Sequence, residues 1–209
     1  SLFDKYEMIK DLGTGSSGSV TLVRHISMDQ ERALKKVPKA SAFAESALSE
    51  ARLLKSLEHP SIPRIFDFEE DNAFYYIVEE YIDGETLDSF LLHQQLISPG
   101  LFFNICEQLC NVFIYLHTQI STPIIYRDLK PEHIIVCHNK LKLIDFGVSA
   151  YVIQDGNNFN HYGNIEFSAP ECFTEDTITP AADIYSLGQL LQYILTFTPD
   201  SFSHKFQHI

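Results

Sequence analysis

Apolar residues in the first third of the chain fall in short runs broken by glycine and polar turns. YEMIKDLG (6–13), SVTLVRHI (19–26) and RALKKVP (32–38) are each predicted as strands. ESALSEARLLKSL (45–57) instead repeats apolar residues at Ala47, Ala51, Leu54 and Leu57, which is helical spacing. IPRIFDFEED (62–71) and AFYYIVEEYI (73–82) read as two more strands around a turn at Asp71-Asn72. After Asp83-Gly84 the pattern turns helical. TLDSFLLHQQ (86–95) has Thr86 as its N-cap, and SPGLFFNICEQLCNVFIYLHTQ (98–119) has Ser98 as its cap and Pro99 at its first position. HIIV (133–136) and KLKLIDFG (140–147) are short strands around His138-Asn139. AADIYSLGQLLQYILTF (181–197) is apolar on nearly every side and is predicted as a buried helix. The expected organisation is a β-rich small lobe over 1–81, a hinge near 79–84, and a helical large lobe over 82–209.

Hydrophobic residues make up 45% of the 209, enough for a core. The formal net charge of −13 argues against nucleic acid or an anionic membrane as partner, since both need a basic face. No apolar run reaches the length of a membrane span. The four cysteines form no CxxC pair and no signal peptide precedes them, so free thiols in a reducing cytoplasm are expected. Cys106, Cys110 and His117 share a predicted helix, but too few ligands converge for zinc. Buried core thiols are the expectation there.

Candidate chemistry gathers in five places. LGTGSSGSV (12–20) sets Gly13, Gly15 and Gly18 as G-x-G-x-x-G ahead of Val20, and glycine lets backbone approach phosphate oxygens. A dinucleotide-binding turn needs a helix to follow at once; here a strand follows, which favours a hairpin over phosphates. RALKKV puts Lys35 on a strand with Ala33 two residues before it, and Glu50 on the next helix is the acid placed to meet it. YRDLKPEH (126–133) sets Asp128 and Lys130 two apart in a loop. The carboxylate there can take a hydroxyl proton, and the lysine can neutralise a transferring phosphoryl group. LIDFG places Asp145 at a strand end, a natural Mg²⁺ ligand, with Gly147 permitting a sharp turn. SAPE (168–171) precedes AADIYSLG. Each fragment alone fits a turn, a cap or a buried acid; their order and spacing together do not arise by chance.

In that order the motifs resemble those of the eukaryotic-type (Hanks-type) serine/threonine protein kinases, over about residues 6–197. The lysine of DLKPE resembles the serine/threonine class, and HPSIPRIFD and EEYIDGETL look most like bacterial members. The resemblance implies an α+β, bilobal protein-kinase-like fold with an antiparallel β-sheet small lobe and a helical large lobe. It implies transfer of the γ-phosphate of ATP to serine or threonine of a protein substrate, with Mg²⁺, or Mn²⁺ in its place, and leaves room for a regulatory partner. By position, Leu12, Gly13, Gly15, Gly18, Val20 and Ala33 would surround the nucleotide, with Ile135 under the adenine and the backbones of Glu80 and Ile82 at its edge. Lys35 would contact the α/β-phosphates and pair with Glu50. Asp128 would be the catalytic base, Lys130 would meet the γ-phosphate, and Asp145 and His133 would hold metal. Leu54, Phe146 and Tyr126 would stack, and Asp183 would anchor the loop.

The sequence departs from the family pattern in several places. Tyr126 replaces a histidine, in a packing role. His133 replaces a metal-binding asparagine, and imidazole suits softer ions than Mg²⁺. Glu79 falls at the gatekeeper position, where an acid needs a partner or water. Asn164 stands for a threonine, and 145–171 contains no threonine; the hydroxyls are Ser149, Tyr151, Tyr162 and Ser168, with Asp155 a fixed acid for an otherwise solvated Arg127. No arginine follows Arg127 to pair with Glu171, and the large lobe is expected to be C-terminally shortened or to continue past Ile209. Two other readings stay open. One is a nucleotide-binding pseudokinase acting as a regulatory module. The other is a small-molecule phosphotransferase of the aminoglycoside-kinase type, against which APE and Gly147 count.

Overall fold

The structure, a computed structural model, describes residues 1–15, 18–147, 149–151, 165–174 and 178–206, so Asp155, Tyr162 and Asn164 lie outside the described residues. The chain divides into two compact units, Ser1–Asp83 and Gly84–Ile209.

The first unit opens with a short helix, α1 (Leu2–Lys5), and continues through β1 (Tyr6–Gly15), β2 (Gly18–His25), β3 (Gln30–Pro38), α2 (Ala44–Lys55), β4 (Ile65–Glu70) and β5 (Phe74–Glu80). The strands form one antiparallel sheet in the order β1-β2-β3-β5-β4. Period-two alternation sends Val23, Leu34, Tyr76 and Val78 to one face, where they bury with Leu2 and Tyr6. The helix α2 buries Ala44 and Ala47 against Val37 and Tyr75. β4 starts at Ile65 rather than Ile62 because Pro63 has no N–H to give a ladder.

The second unit contains β6 (Glu85–Thr86), α3 (Leu87–Gln94), α4 (Pro99–Ile114), β7 (Ile124–Ile125), β8 (Ile134–Cys137), β9 (Lys140–Leu143), β10 (Ala150–Tyr151), α5 (Glu171–Thr174), α6 (Ala181–Leu195) and α7 (Asp200–Ser203). Two small sheets run β6-β8-β9 and β10-β7. Thr86 caps α3 by accepting the Ser89 N–H at 3.3 Å, and Ser98 caps α4 by accepting the Leu101 N–H at 3.2 Å. α4 does not run on to Gln119 as one α-helix; it passes into a π-helical turn, Tyr115–Gln119. The core collects Leu91, Ile105, Leu109, Val112, Phe113, Leu116, Leu190 and Ile194.

Three expectations are corrected here. The strand from Lys140 stops at Leu143, so Asp145 lies beyond it rather than at its end. α6 is not buried all round, since Ile184 is 54% exposed. Its inner stripe, Ala182, Asp183, Ser186, Leu187, Leu190 and Ile194, includes two polar residues, which hid the true face from a hydropathy pattern. The thiols on α4 are not core residues: Cys110 is exposed and Cys106 only partly buried. Packing still pushes Cys106 up to about 11. Among the described residues no helix is long and apolar enough to cross a membrane.

Gly84 sits where β6 meets β8, and a Cβ there would lie 2.3 Å from the Val136 carbonyl oxygen and 2.8 Å from Ile135 Cγ2. Backbone cannot yield as a side-chain tip can. Gly84→Ala is expected to lower stability by about 1–3 kcal/mol, read as an earlier midpoint in urea unfolding; an unmoved midpoint would contradict this packing.

Candidate functional site

In the first unit β1 and β2 form the expected hairpin, with Gly15 paired to Gly18 at its described tip. The glycines have different reasons. Gly18 has φ +144°, and a Cβ on it would be 2.1 Å from the Lys36 carbonyl oxygen, so the neighbouring strand demands it. Gly13 has open space where a Cβ would stand. Leu12, beside it, is exposed. Cross-strand pairing joins Val20 to Lys35, Ala33 to Glu79 and Lys35 to Ile77, so Val20, Ala33, Lys35 and Glu79 share one sheet face. Lys35 Nζ donates to Glu50 Oε2 at 3.5 Å, a long contact between two side chains 21% and 15% exposed. Glu79 is partly buried. Its carboxyl is pushed up to about 7, chiefly by loss of solvent; attraction to Lys35 opposes the rise and repulsion from Glu50 adds to it. The Glu80 N–H donates to the Arg64 carbonyl at 2.9 Å, so it is committed within the sheet. Ile82 lies two residues beyond β5 and is partly buried.

In the second unit the loop 126–133 hangs from one carboxylate. Asp183, 1% exposed, accepts the Tyr126 N–H at 2.8 Å on Oδ2 and the Arg127 N–H at 2.9 Å on Oδ1. His117 Nε2 meets the same Oδ2 at 2.8 Å. Arg127 takes φ 75°, a conformation that costs a non-glycine residue about 1–2 kcal/mol and that the two bonds hold in place. It is buried rather than solvated. Tyr126 is fully buried between Phe113 and Phe146, and its hydroxyl also donates to the Ile144 carbonyl. Beyond this anchor Lys130 Nζ lies 3.0 Å from Asp128 Oδ2. A 3₁₀ turn, Pro131–His133, then leads into β8, where Ile135 is paired with Thr86 and Lys142 and partly buried. Asp145 itself makes the sharp turn expected of Gly147, with φ 61°, which aspartate tolerates better than most residues. Of the two described serines of the following segment, Ser149 Oγ donates to the Tyr126 carbonyl at 3.2 Å, and Ser168 is buried.

His133 joins the two acids. Its Nδ1 lies 3.0 Å from the Asp128 carbonyl oxygen and 3.3 Å from the Tyr126 hydroxyl; its Nε2 lies 3.3 Å from Asp145 Oδ2. Among the described residues no group of three or more His, Cys, Asp or Glu could hold a metal ion unaided. A Mg²⁺ or Mn²⁺ site that takes most of its ligands from phosphate and water fits this donor set, because Asp145 is 55% exposed and His133 offers a second donor beside it.

The sequence model of the family described as "Protein kinase domain" matches residues 6–208. The chain belongs to this family. The kinase domain is 31% identical over 201 residues to serine/threonine-protein kinase PrkC of Bacillus subtilis, covering 92% of this chain and 30% of that protein. It is 33% identical over 188 residues to serine/threonine-protein kinase ppk25 of Schizosaccharomyces pombe, covering 87% of this chain and 44% of that one. It is 29% identical over 226 residues to serine/threonine-protein kinase PknB of Mycobacterium tuberculosis, covering all of this chain and 36% of that one. The chain thus spans less than half the length of these relatives. Two features of the kinase domain had no sequence signal: the reach of His117 to Asp183 across 66 residues, and the double-sided contact of His133.

Two outcomes follow from this geometry. Asp183→Ala leaves two buried N–H groups without their acceptor, and a loss of roughly 2–5 kcal/mol is expected in urea unfolding. Glu79 carries the opposite kind of effect. Its carboxyl, near 4.5 in the unfolded chain, is held protonated to about 7 when folded. The unfolded state therefore binds fewer protons between those values, and stability falls as pH rises through that window. Comparing unfolding at pH 5 and pH 8, Glu79→Gln should gain roughly 2–3 kcal/mol on the wild type at the higher pH and little at the lower; an equal gain at both would show that Glu79 does not titrate there.

Proposed function

We propose that this chain is the catalytic domain of an ATP-dependent serine/threonine protein kinase. The observation that carries the reading is the second unit's loop, in which Asp128, Lys130 and Asp145 are brought together through His133 on a buried anchor. Asp128, partly buried, orients the substrate hydroxyl and takes its proton. Lys130, already 3.0 Å from that carboxylate, offsets the charge of the transferring phosphoryl group. In the first unit Lys35, steadied by Glu50, holds the α/β-phosphates, and the hairpin of Gly13, Gly15 and Gly18 covers them with backbone. In the same unit Leu12, Val20 and Ala33 supply apolar contact to the base, and the backbones of Glu80 and Ile82 supply its polar contacts. Mg²⁺ or Mn²⁺, when bound, neutralises phosphate charge; Asp145 and His133 would hold it. The three relatives are all named protein kinases, which supports transfer over binding alone. The substrate is a protein, and the charge of −13 gives no reason to propose nucleic acid.

The test is incubation of the purified chain with labelled ATP and casein, with Mg²⁺ and Mn²⁺ separately. Asp128→Asn should lower transfer at least about a hundredfold. Calorimetry should show metal-dependent ATP affinity lost in Asp145→Asn. Transfer indifferent to Asp128, or Mg·ATP binding indifferent to Asp145, would overturn the assignment.

A further inference from the structure

Glu79 and Lys35 occupy diagonal positions on one face of the first unit's sheet. Ala33 pairs with Glu79 and Lys35 with Ile77, so the two long side chains stand one step apart on neighbouring strands, close enough to interact. The same ammonium is claimed from α2 by Glu50, at a long 3.5 Å. The other charged groups near Glu79 are answered elsewhere. β4 sets apolar Ile65 opposite it, and Glu70, farther along that strand, meets Lys39 at 2.6 Å. Glu31, on β3 beyond Ala33, is exposed and lies 3.9 Å from Arg24. Arg52 and Lys55 of α2 line a cleft with Glu70 and Tyr75, toward the far end of β5. Glu80 points to the opposite face and accepts the Arg64 N–H at 3.3 Å. Tyr81 is a phenol whose ionisation burial pushes up, so it stays neutral near pH 7. Lys35 is thus one cation between two acids, Glu50 and Glu79.

We infer that Glu79 is a positioning residue for Lys35, competing with Glu50 for the ammonium when ionised and leaving it to nucleotide phosphates when protonated. The inference rests on the nucleotide-binding reading above. Phosphates held by Lys35 add negative charge beside the Glu79 carboxyl and disfavour its ionised form. Glu79 therefore takes a proton from solvent as nucleotide binds, and by linkage the same proton strengthens binding. The carboxyl is already pushed up to about 7, chiefly by loss of solvent, so the exchange falls in the neutral range. Below that value it is protonated before nucleotide arrives, and affinity is level. As pH rises above it, a carboxylate must first be neutralised, and affinity falls. Glutamine at this position keeps the neutral shape at every pH.

The experiment is calorimetric titration of the full chain with Mg·ADP, which carries the α/β-phosphates and has no γ-phosphate to transfer. Between pH 6 and pH 9 the wild type should lose about tenfold more affinity than Glu79→Gln. The terminal phosphate of ADP itself titrates at the acid end of this range, so the two chains are compared at each pH. At pH 8, titrations in buffers of different ionisation enthalpy should show the wild type taking up roughly half a proton on binding, and the variant none. The wild-type proton uptake can be read even where the variant fails to fold, and its absence would overturn the inference. Parallel pH profiles in the two chains, or an equal loss of affinity at every pH in the variant, would also overturn it and leave the kinase reading intact; Glu79 would then only fill space. Failure of the wild type to bind Mg·ADP at either pH would overturn both.

Discussion

A single buried carboxylate organises the second unit. Asp183 has four lone-pair directions and is shielded from solvent, and two consecutive backbone amides and one imidazole meet it. Consecutive amides can both point at one group only if the backbone turns sharply between them, and Arg127 with φ 75° is that turn. The loop that follows therefore leaves its anchor in a fixed direction. The same bend seats Tyr126 between Phe113 and Phe146, so the loop, the end of α4 and the segment after β9 become one packed layer. A charge this deeply buried would be a liability if any of its three partners were missing.

In the first unit the comparable constraint is one cation among acids. Lys35 shares its sheet face with Glu79 and contacts Glu50 from α2, so one ammonium faces two carboxyl groups with little solvent. Holding a proton on Glu79 is the arrangement that leaves this patch near neutrality. A nucleotide's phosphates would bring more negative charge, so the protonation of Glu79 and the approach of an anion are coupled through the same lysine.

Most of the architecture was legible in the sequence because it is local. The hairpin follows from Gly13, Gly15 and Gly18 with a strand behind them, the two helix starts from Thr86 and Ser98, and the first-unit strands from period-two alternation. What stayed hidden depends on contacts far apart in the chain or on backbone that no residue type announces. Nothing near Asp145 says that the aspartate, rather than Gly147, takes the left-handed turn. The inner stripe of α6 was masked by Asp183 and Ser186, which are buried for their bonds and not for their hydropathy. His133 was legible as a substitution in a loop, but its grip on both Asp128 and Asp145 required the fold of β8 and β9 to be in place. His117 was read beside Cys106 and Cys110, when its partner was 66 residues away.

The π-helical turn at the end of α4 sets the phase of that partner. Each residue in an α-helix advances about 100° around the axis, and a turn that accommodates one extra residue offsets everything after it by that amount. His117 lies inside this widened turn, between fully buried Leu116 and Thr118, whose hydroxyl bonds back to Ile114. The aim of its imidazole is thus a matter of residue count as much as of residue kind. Shortening the turn by one position would let it relax to ordinary pitch and swing the ring off Asp183, altering the seat of the loop without changing any side chain within it.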